Sequence, residues 1–131
     1  MFAVEVRDHI MIAHSLPNPV FGPAQSMHGA TYTVDAAFHA ESLDDTGLVV
    51  DMGRAGHALA AALEPLRYKN LDEMPQFEGK FTTTEFLSQV IFDHLAASIR
   101  AGELGDQGRI TRLRVTLQES HLACAWYEAA I

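Results

Sequence analysis

His28-Gly29-Ala30-Thr31-Tyr32-Thr33-Val34-Asp35-Ala36-Ala37-Phe38-His39 decides how this chain folds. From Thr31 the residues alternate. Tyr32, Val34, Ala36 and Phe38 point one way, and Thr31, Thr33, Asp35 and Ala37 point the other. A period of two, rich in aromatic and β-branched residues, marks a strand half-buried against a core. A histidine stands beside a glycine at its start, and His14 closes a similar run fourteen residues earlier. Histidines at the ends of two neighbouring strands make half of a metal site.

Working outward, residues 2–14 alternate as Phe2, Val4 and Val6 against Ala3, Glu5 and Arg7. Asp8-His9 interrupts the pattern before Ile10, Ile12 and His14, so a bulge or a change of face is expected there. Pro17, Asn18, Pro19, Gly22 and Pro23 make residues 15–27 a loop, and a loop that long inside a compact domain is usually functional. Strands on either side of it pair antiparallel. After a polar turn at 42–47, Asp51 is a good N-cap for a helix over 52–66, where Ala55, Ala58, Leu59, Ala62, Leu63 and Leu66 form an apolar stripe. Residues 67–80 are irregular. Thr82-Thr83-Thr84-Glu85 reads as a capping box opening a second helix to about Arg100, with Leu87, Val90, Ile91, His94, Leu95 and Ser98 on one face. Leu113, Val115 and Leu117 alternate in a third strand, and residues 122–130 read as a fourth. Helices on one face of an antiparallel sheet give an α+β layer fold. The other face, with Thr31, Thr33 and Arg114 on it, must meet solvent or another subunit.

The chain has 131 residues and reads as one domain, 1–131. Apolar residues make up 48% and charged residues 20%, as in an ordinary soluble protein. A formal charge of −8 argues against nucleic-acid binding, which needs a basic footprint. Cys124 is the single cysteine, so no intrachain disulfide forms, and it is expected to be a small buried packing residue. No apolar run approaches the ~20 residues of a membrane span. The N-terminus has no basic-then-apolar signal region, so the chain is read as mature and cytoplasmic.

Six segments in order resemble the 6-pyruvoyltetrahydropterin synthase and 6-carboxytetrahydropterin synthase family. They are Ile12-Ala13-His14-Ser15-Leu16, His28-Gly29-Ala30-Thr31-Tyr32, Gly47-Leu48-Val49-Val50-Asp51-Met52, Leu66-Arg67-Tyr68-Lys69-Asn70-Leu71-Asp72, Thr83-Thr84-Glu85 and Val115-Thr116-Leu117-Gln118-Glu119-Ser120. The resemblance implies the tunnelling fold, with strand-strand-helix-helix-strand-strand order and homo-oligomers, trimers or hexamers, whose sheets join into a barrel. It implies a zinc-dependent lyase that acts on 7,8-dihydroneopterin triphosphate, in tetrahydropterin or queuosine precursor synthesis. The pterin would be held by a glutamate at a subunit interface.

Position by position, the match is uneven. The family's metal ligands are a histidine ending the first strand and both histidines of a His-x-His pair. His14 and His28 match two of them, and Ala30 stands at the third. The family's loop cysteine falls at Ala24, and its Asp-His pair after the first helix falls at Arg67-Tyr68. A guanidinium and a phenol replace an acid and a base. Glu119 matches the pterin-binding glutamate, and Thr83 and Glu85 match residues that help line the pocket from a neighbouring subunit. The capping box alone would also explain Glu85. His121 shares strand parity with Glu119 and could reach the same pocket. His14 and His28 could instead make ordinary hydrogen bonds. The resulting expectation is a diverged member that keeps a pocket for a small pterin- or purine-like ligand and lacks the standard catalytic set. The alternatives are an active lyase and a non-catalytic subunit or scaffold paired with an active paralogue.

Overall fold

β1 (Phe2–His14) and β2 (His28–Ala40) run antiparallel over their whole length, from Phe2 opposite Ala40 to His14 opposite His28. The computed structural model describes residues 1–131. The bulge expected at Asp8 is absent. Asp8 keeps its place opposite Val34, in the same alternation as the buried Ile10 and Ile12. A carboxylate is tolerated there because Arg67, arriving after the first helix, donates from Nη2 to Asp8 at 2.7 Å and from Nη1 to the His9 carbonyl at 2.8 Å. Downstream, the Tyr68 amide donates to the Met11 carbonyl and the Ala13 amide to the Lys69 carbonyl. The segment after the first helix therefore covers part of the open edge of β1.

Asp51 caps α1 (Met52–Leu63) by accepting from the Arg54 amide. The helix stops three residues before the expected end, and a 3-10 turn, Glu64–Leu66, takes over. Pro65 lacks the amide that a further α-helical turn would use. α2 (Thr84–Arg100) is capped by Thr83, whose hydroxyl accepts from the Phe86 amide. The frame therefore differs from the expected capping box by one residue, and the Glu85 carboxylate takes no part in the cap. The buried stripe also sits further round the helix than expected. Leu87, Ser88, Ile91, Phe92, Leu95, Ala96 and Ile99 are buried, while His94 is exposed. Phe92 turns inward to meet Tyr127 edge-on at 4.8 Å. Ser88 can be buried because its hydroxyl bonds the Glu85 carbonyl.

β3 (Arg112–Gln118) and β4 (Cys124–Ala130) complete an antiparallel sheet of order β1-β2-β3-β4. Both helices pack on one face, and the core is a single cluster of 27 buried residues between the layers. The other face is polar. Arg7 grips Asp35 at 2.6 and 3.0 Å, Gln118 bonds the same carboxylate, and Arg112 pairs with Glu128. The Arg114 guanidinium lies 4.1 Å from the Trp126 ring centroid. Cys124 shares this face with Trp126 and is exposed, contrary to the buried position expected of it. Alternation along β4 turns Ala125 and Tyr127 toward the helices and Cys124 and Trp126 away from them. No helix is long and apolar enough to cross a membrane.

Candidate functional site

The register that pairs β1 with β2 sets His14 directly opposite His28 at the end of the sheet. Opposed residues on one face bring their side chains together, and the two rings meet edge to face with centroids 4.6 Å apart. His14 is buried, and its Nδ1 lies 2.9 Å from the Thr82 hydroxyl. His28 donates from Nδ1 to the Ser26 carbonyl at 2.8 Å, because a carbonyl can only accept. Both Nδ1 atoms are thus engaged, which leaves the Nε2 atoms free. Burial, and then the neighbouring His28, hold the His14 imidazole below the usual histidine range. A neutral ring with a pinned Nδ1 is how proteins prepare a metal-binding histidine.

The loop folds back over this pair. The Leu16 amide donates to the Ala24 carbonyl at 3.0 Å, Asn18 caps the 3-10 segment Pro19–Gln25, and Gly22 supplies the positive φ of 53° where that segment kinks. Phe21 reaches Phe81 at 5.4 Å. The result is a cavity of about 210 Å3 walled by His14, Leu16, Phe21, Ala24, His28, Tyr32, Thr83, Thr84, Glu85 and Glu119. The two histidines expected to bind metal and the three residues expected to bind ligand therefore face one space. Glu85 and Glu119 are exposed at its rim. Glu119 lies just past the end of β3, in the turn to β4, where its amide donates to the Ala123 carbonyl at 3.2 Å. That turn also removes His121 from the parity it was expected to share with Glu119. His121 is exposed and forms no part of the wall.

Tyr32 and Thr84 are wall residues that the sequence reading did not single out. Tyr32 carries the signal for it, since it shares a strand face with His28 and Ala30. Burial raises the Tyr32 phenol above its usual range. Glu119 and Glu85 push the same way, against a hydrogen bond with Thr84. The phenol is therefore protonated at neutral pH and can donate at the cavity floor.

The residues present do not fit a three-histidine zinc site. Ala30 follows His28 by two residues on the same face, opposite Ile12, where an imidazole would complete the set, and it has no donor atom. No group of three histidine, cysteine, aspartate or glutamate side chains forms here or elsewhere in the chain. Ala24 is in the wall and offers only a methyl group. Arg67 and Tyr68 lie outside the wall. Arg67 is held by Asp8 and Glu64, and Tyr68 is exposed with a positive φ of 56°.

An antiparallel sheet with both helices on one face, and a pocket of histidines and carboxylates at the strand ends, is the tunnelling fold. The family model described as 6-pyruvoyl tetrahydropterin synthase matches residues 3–130, and the chain belongs to that family. It is 29% identical over 97 residues to the 6-carboxy-5,6,7,8-tetrahydropterin synthase of Bacillus subtilis, covering 68% of this chain and 62% of that one. It is 28% identical over 83 residues to the 6-pyruvoyl tetrahydrobiopterin synthase of Dictyostelium discoideum, covering 62% of each. The matches thus span less than two thirds of these relatives' lengths. The structure of the Caenorhabditis elegans 6-pyruvoyl tetrahydropterin synthase superposes with a TM-score of 0.80 at 19% identity, over 98% of this chain and 95% of that one.

Proposed function

We propose that this protein is a diverged member of its family that binds a pterin- or purine-like ring and does not run a zinc-dependent elimination. One observation carries the reading. Thr83, Glu85 and Glu119 share a cavity with His14 and His28, while Ala24 and Ala30 stand where the chemistry needs a thiol and an imidazole. A carboxylate accepts two hydrogen bonds from an amidine-like edge and fixes a planar ring. In place of the thiol and the third metal ligand stand the methyl groups of Ala24 and Ala30, and in place of the acid–base pair stand a guanidinium held by Asp8 and Glu64 and the exposed Tyr68 phenol.

The protein works as a homo-oligomer, a trimer or hexamer whose sheets join. Two features support this. β4 and the upstream part of β1 are open edges, which soluble proteins usually cover. The face away from the helices also buries Asp35 to 4% exposure within a fixed ion-pair network.

Calorimetric titration with 7,8-dihydroneopterin tests the pocket. Binding should weaken by about 10–100-fold in Glu119→Gln, the range for losing a charge-assisted hydrogen bond of ~1.5–3 kcal/mol. Unchanged affinity in that variant sinks the role of Glu119. Turnover of 7,8-dihydroneopterin triphosphate by the purified protein would establish the active lyase instead. Activity appearing only on mixing with an active homologue would establish the non-catalytic subunit.

A further inference from the structure

Tyr32 is fixed at the cavity floor by its strand. It lies on the inward face of β2, opposite Ile10, and is 2% exposed. The side chains that act on its phenol all belong to the cavity wall: Thr84 through a hydrogen bond, Glu119 and Glu85 through their charge. The hydroxyl end of Tyr32, and not only its ring, therefore borders the cavity. A hydroxyl carries one proton and accepts through two lone pairs. The Thr84 bond favours the charged form of the phenol, so Thr84 donates and the phenol oxygen accepts. The phenol proton is thus not spent on Thr84. Glu119 and Glu85 repel charge on the phenol without bonding it, so they do not take the proton either. Burial, and then these two carboxylates, keep that proton in place at neutral pH. A buried O–H left without an acceptor costs free energy, and at this position the acceptor enters with whatever fills the cavity. Glu119 acts on the phenol more strongly than Glu85 does, so the free O–H and the edge-binding carboxylate address neighbouring atoms of one ring.

We infer that Tyr32 is a specificity-determining residue of this pocket: its hydroxyl donates to a ring carbonyl beside the amidine-like edge, and so favours an amino-lactam ring over a diamino ring. The inference rests on the pocket reading given above and narrows it. A planar amino-lactam presents two donors, its amino group and its ring N–H, next to a carbonyl oxygen. Glu119 accepts from the two donors, and Tyr32 donates to the oxygen. An amino group in place of the carbonyl sets a donor against the phenol proton and leaves that proton unpaired. Thr84 is a positioning residue, because its own O–H occupies the phenol oxygen and turns the phenol proton toward the ring. Residues that neighbouring copies add to the cavity do not alter which atoms Tyr32 and Thr84 offer.

The test is titration of the intact protein, Tyr32→Phe and Thr84→Val with pterin and with 2,4-diaminopteridine. The readout is the ratio of the two affinities, which cancels any loss of folded protein. Tyr32→Phe should shift that ratio away from pterin by about tenfold, the effect of removing one partner of a buried hydrogen bond. Thr84→Val should shift it the same way by about threefold, because the phenol keeps its proton but loses its orientation. A ratio in Tyr32→Phe that stays within about twofold of the parent's, or moves toward pterin, overturns the inference and leaves the pocket reading standing. The phenol would then serve packing or a neighbouring chain. Failure of the parent to bind either compound overturns both.

Discussion

The two banks of the cavity have opposite characters. On one side the start of α2 and the end of β3 present Thr83, Thr84, Glu85 and Glu119, with Tyr32 beneath them. On the other the ends of β1 and β2 and the loop between them present two imidazoles and the methyl of Ala24, with Ala30 behind them. The first bank has the hydroxyls and carboxylates that the proposed function assigns to holding a ring. The second has two apposed imidazoles and no third metal-binding side chain beside them. Under the proposed function, recognition and chemistry belong to separate segments of chain, so one can be lost while the other stays.

The sharpest way to break this contrast is to give the second bank its missing donor. Ala30→His places a third imidazole on the face of β2 that already carries His28. A structural zinc site of four ligands is worth ~10–16 kcal/mol, so one added ligand contributes about 3 kcal/mol, or about 100-fold in affinity. Metal analysis after dialysis should show close to one zinc per chain in the variant and far less in the parent. Near-stoichiometric zinc in the parent would mean that the two banks differ less than their residues indicate.

A second change probes a hydrogen bond between the end of β1 and the start of α2. Thr82, just before α2, holds Nδ1 of His14. Thr82→Val keeps the shape and leaves a buried ring nitrogen unpaired, at a cost of about 1–3 kcal/mol. A denaturant titration should show that loss. In the Ala30→His background the same change should weaken zinc about tenfold or more, as loss of an outer hydrogen bond to a metal ligand does. Unaltered zinc affinity would show that Thr82 is only a packing residue.

Much of this contrast was legible in the sequence, for local reasons. Alternation in 31–39 and 113–117, the Asp51 cap and the apolar stripe of α1 each report their own neighbourhood, and the fold follows from their order. Ala24 and Ala30 were legible because a methyl group has no lone pair in any fold. What was hidden depended on distant partners. Asp8 looked like a break in β1 because its counter-ion, Arg67, lies 59 residues away. Glu85 looked like a capping residue because Thr82 and Thr83 offer two frames one residue apart, and only the fold shows Thr82 turned to His14. Cys124 looked buried because the last strand is apolar on both faces, and only the pairing with β3 fixes which side is out.

Arg67 allows a smaller test, outside the cavity. If it is a strut for β1, Arg67→Ala should destabilise the protein by about 1 kcal/mol, because the ion pair is partly exposed and Asp8 can still reach water. That corresponds to a Tm lower by roughly 4 °C. Affinity for 7,8-dihydroneopterin should stay within twofold. A tenfold loss of affinity would place Arg67 in the binding site of an assembled neighbour and make it part of the recognition bank.

Tyr68 gives the smallest effect, and its sign is the informative part. Its φ of 56° lies where a residue with a bulky side chain is strained, and its side chain is 81% exposed, so little packing offsets that strain. Glycine adopts this conformation freely, although it also gives the unfolded chain more freedom. The two effects are each about 1 kcal/mol and oppose one another. Tyr68→Gly should therefore change stability by less than about 0.5 kcal/mol, with ligand affinity unchanged. Strain of this kind persists where surrounding structure imposes it, and here the Tyr68 amide is tied to the Met11 carbonyl beside the Arg67 clamp. Geometry of the backbone would then be the whole reason for the conformation. A loss of ligand affinity in Tyr68→Gly, with stability intact, would instead mean that the exposed phenol serves a pocket across a subunit interface. The position that lost a histidine would then still belong to a working site.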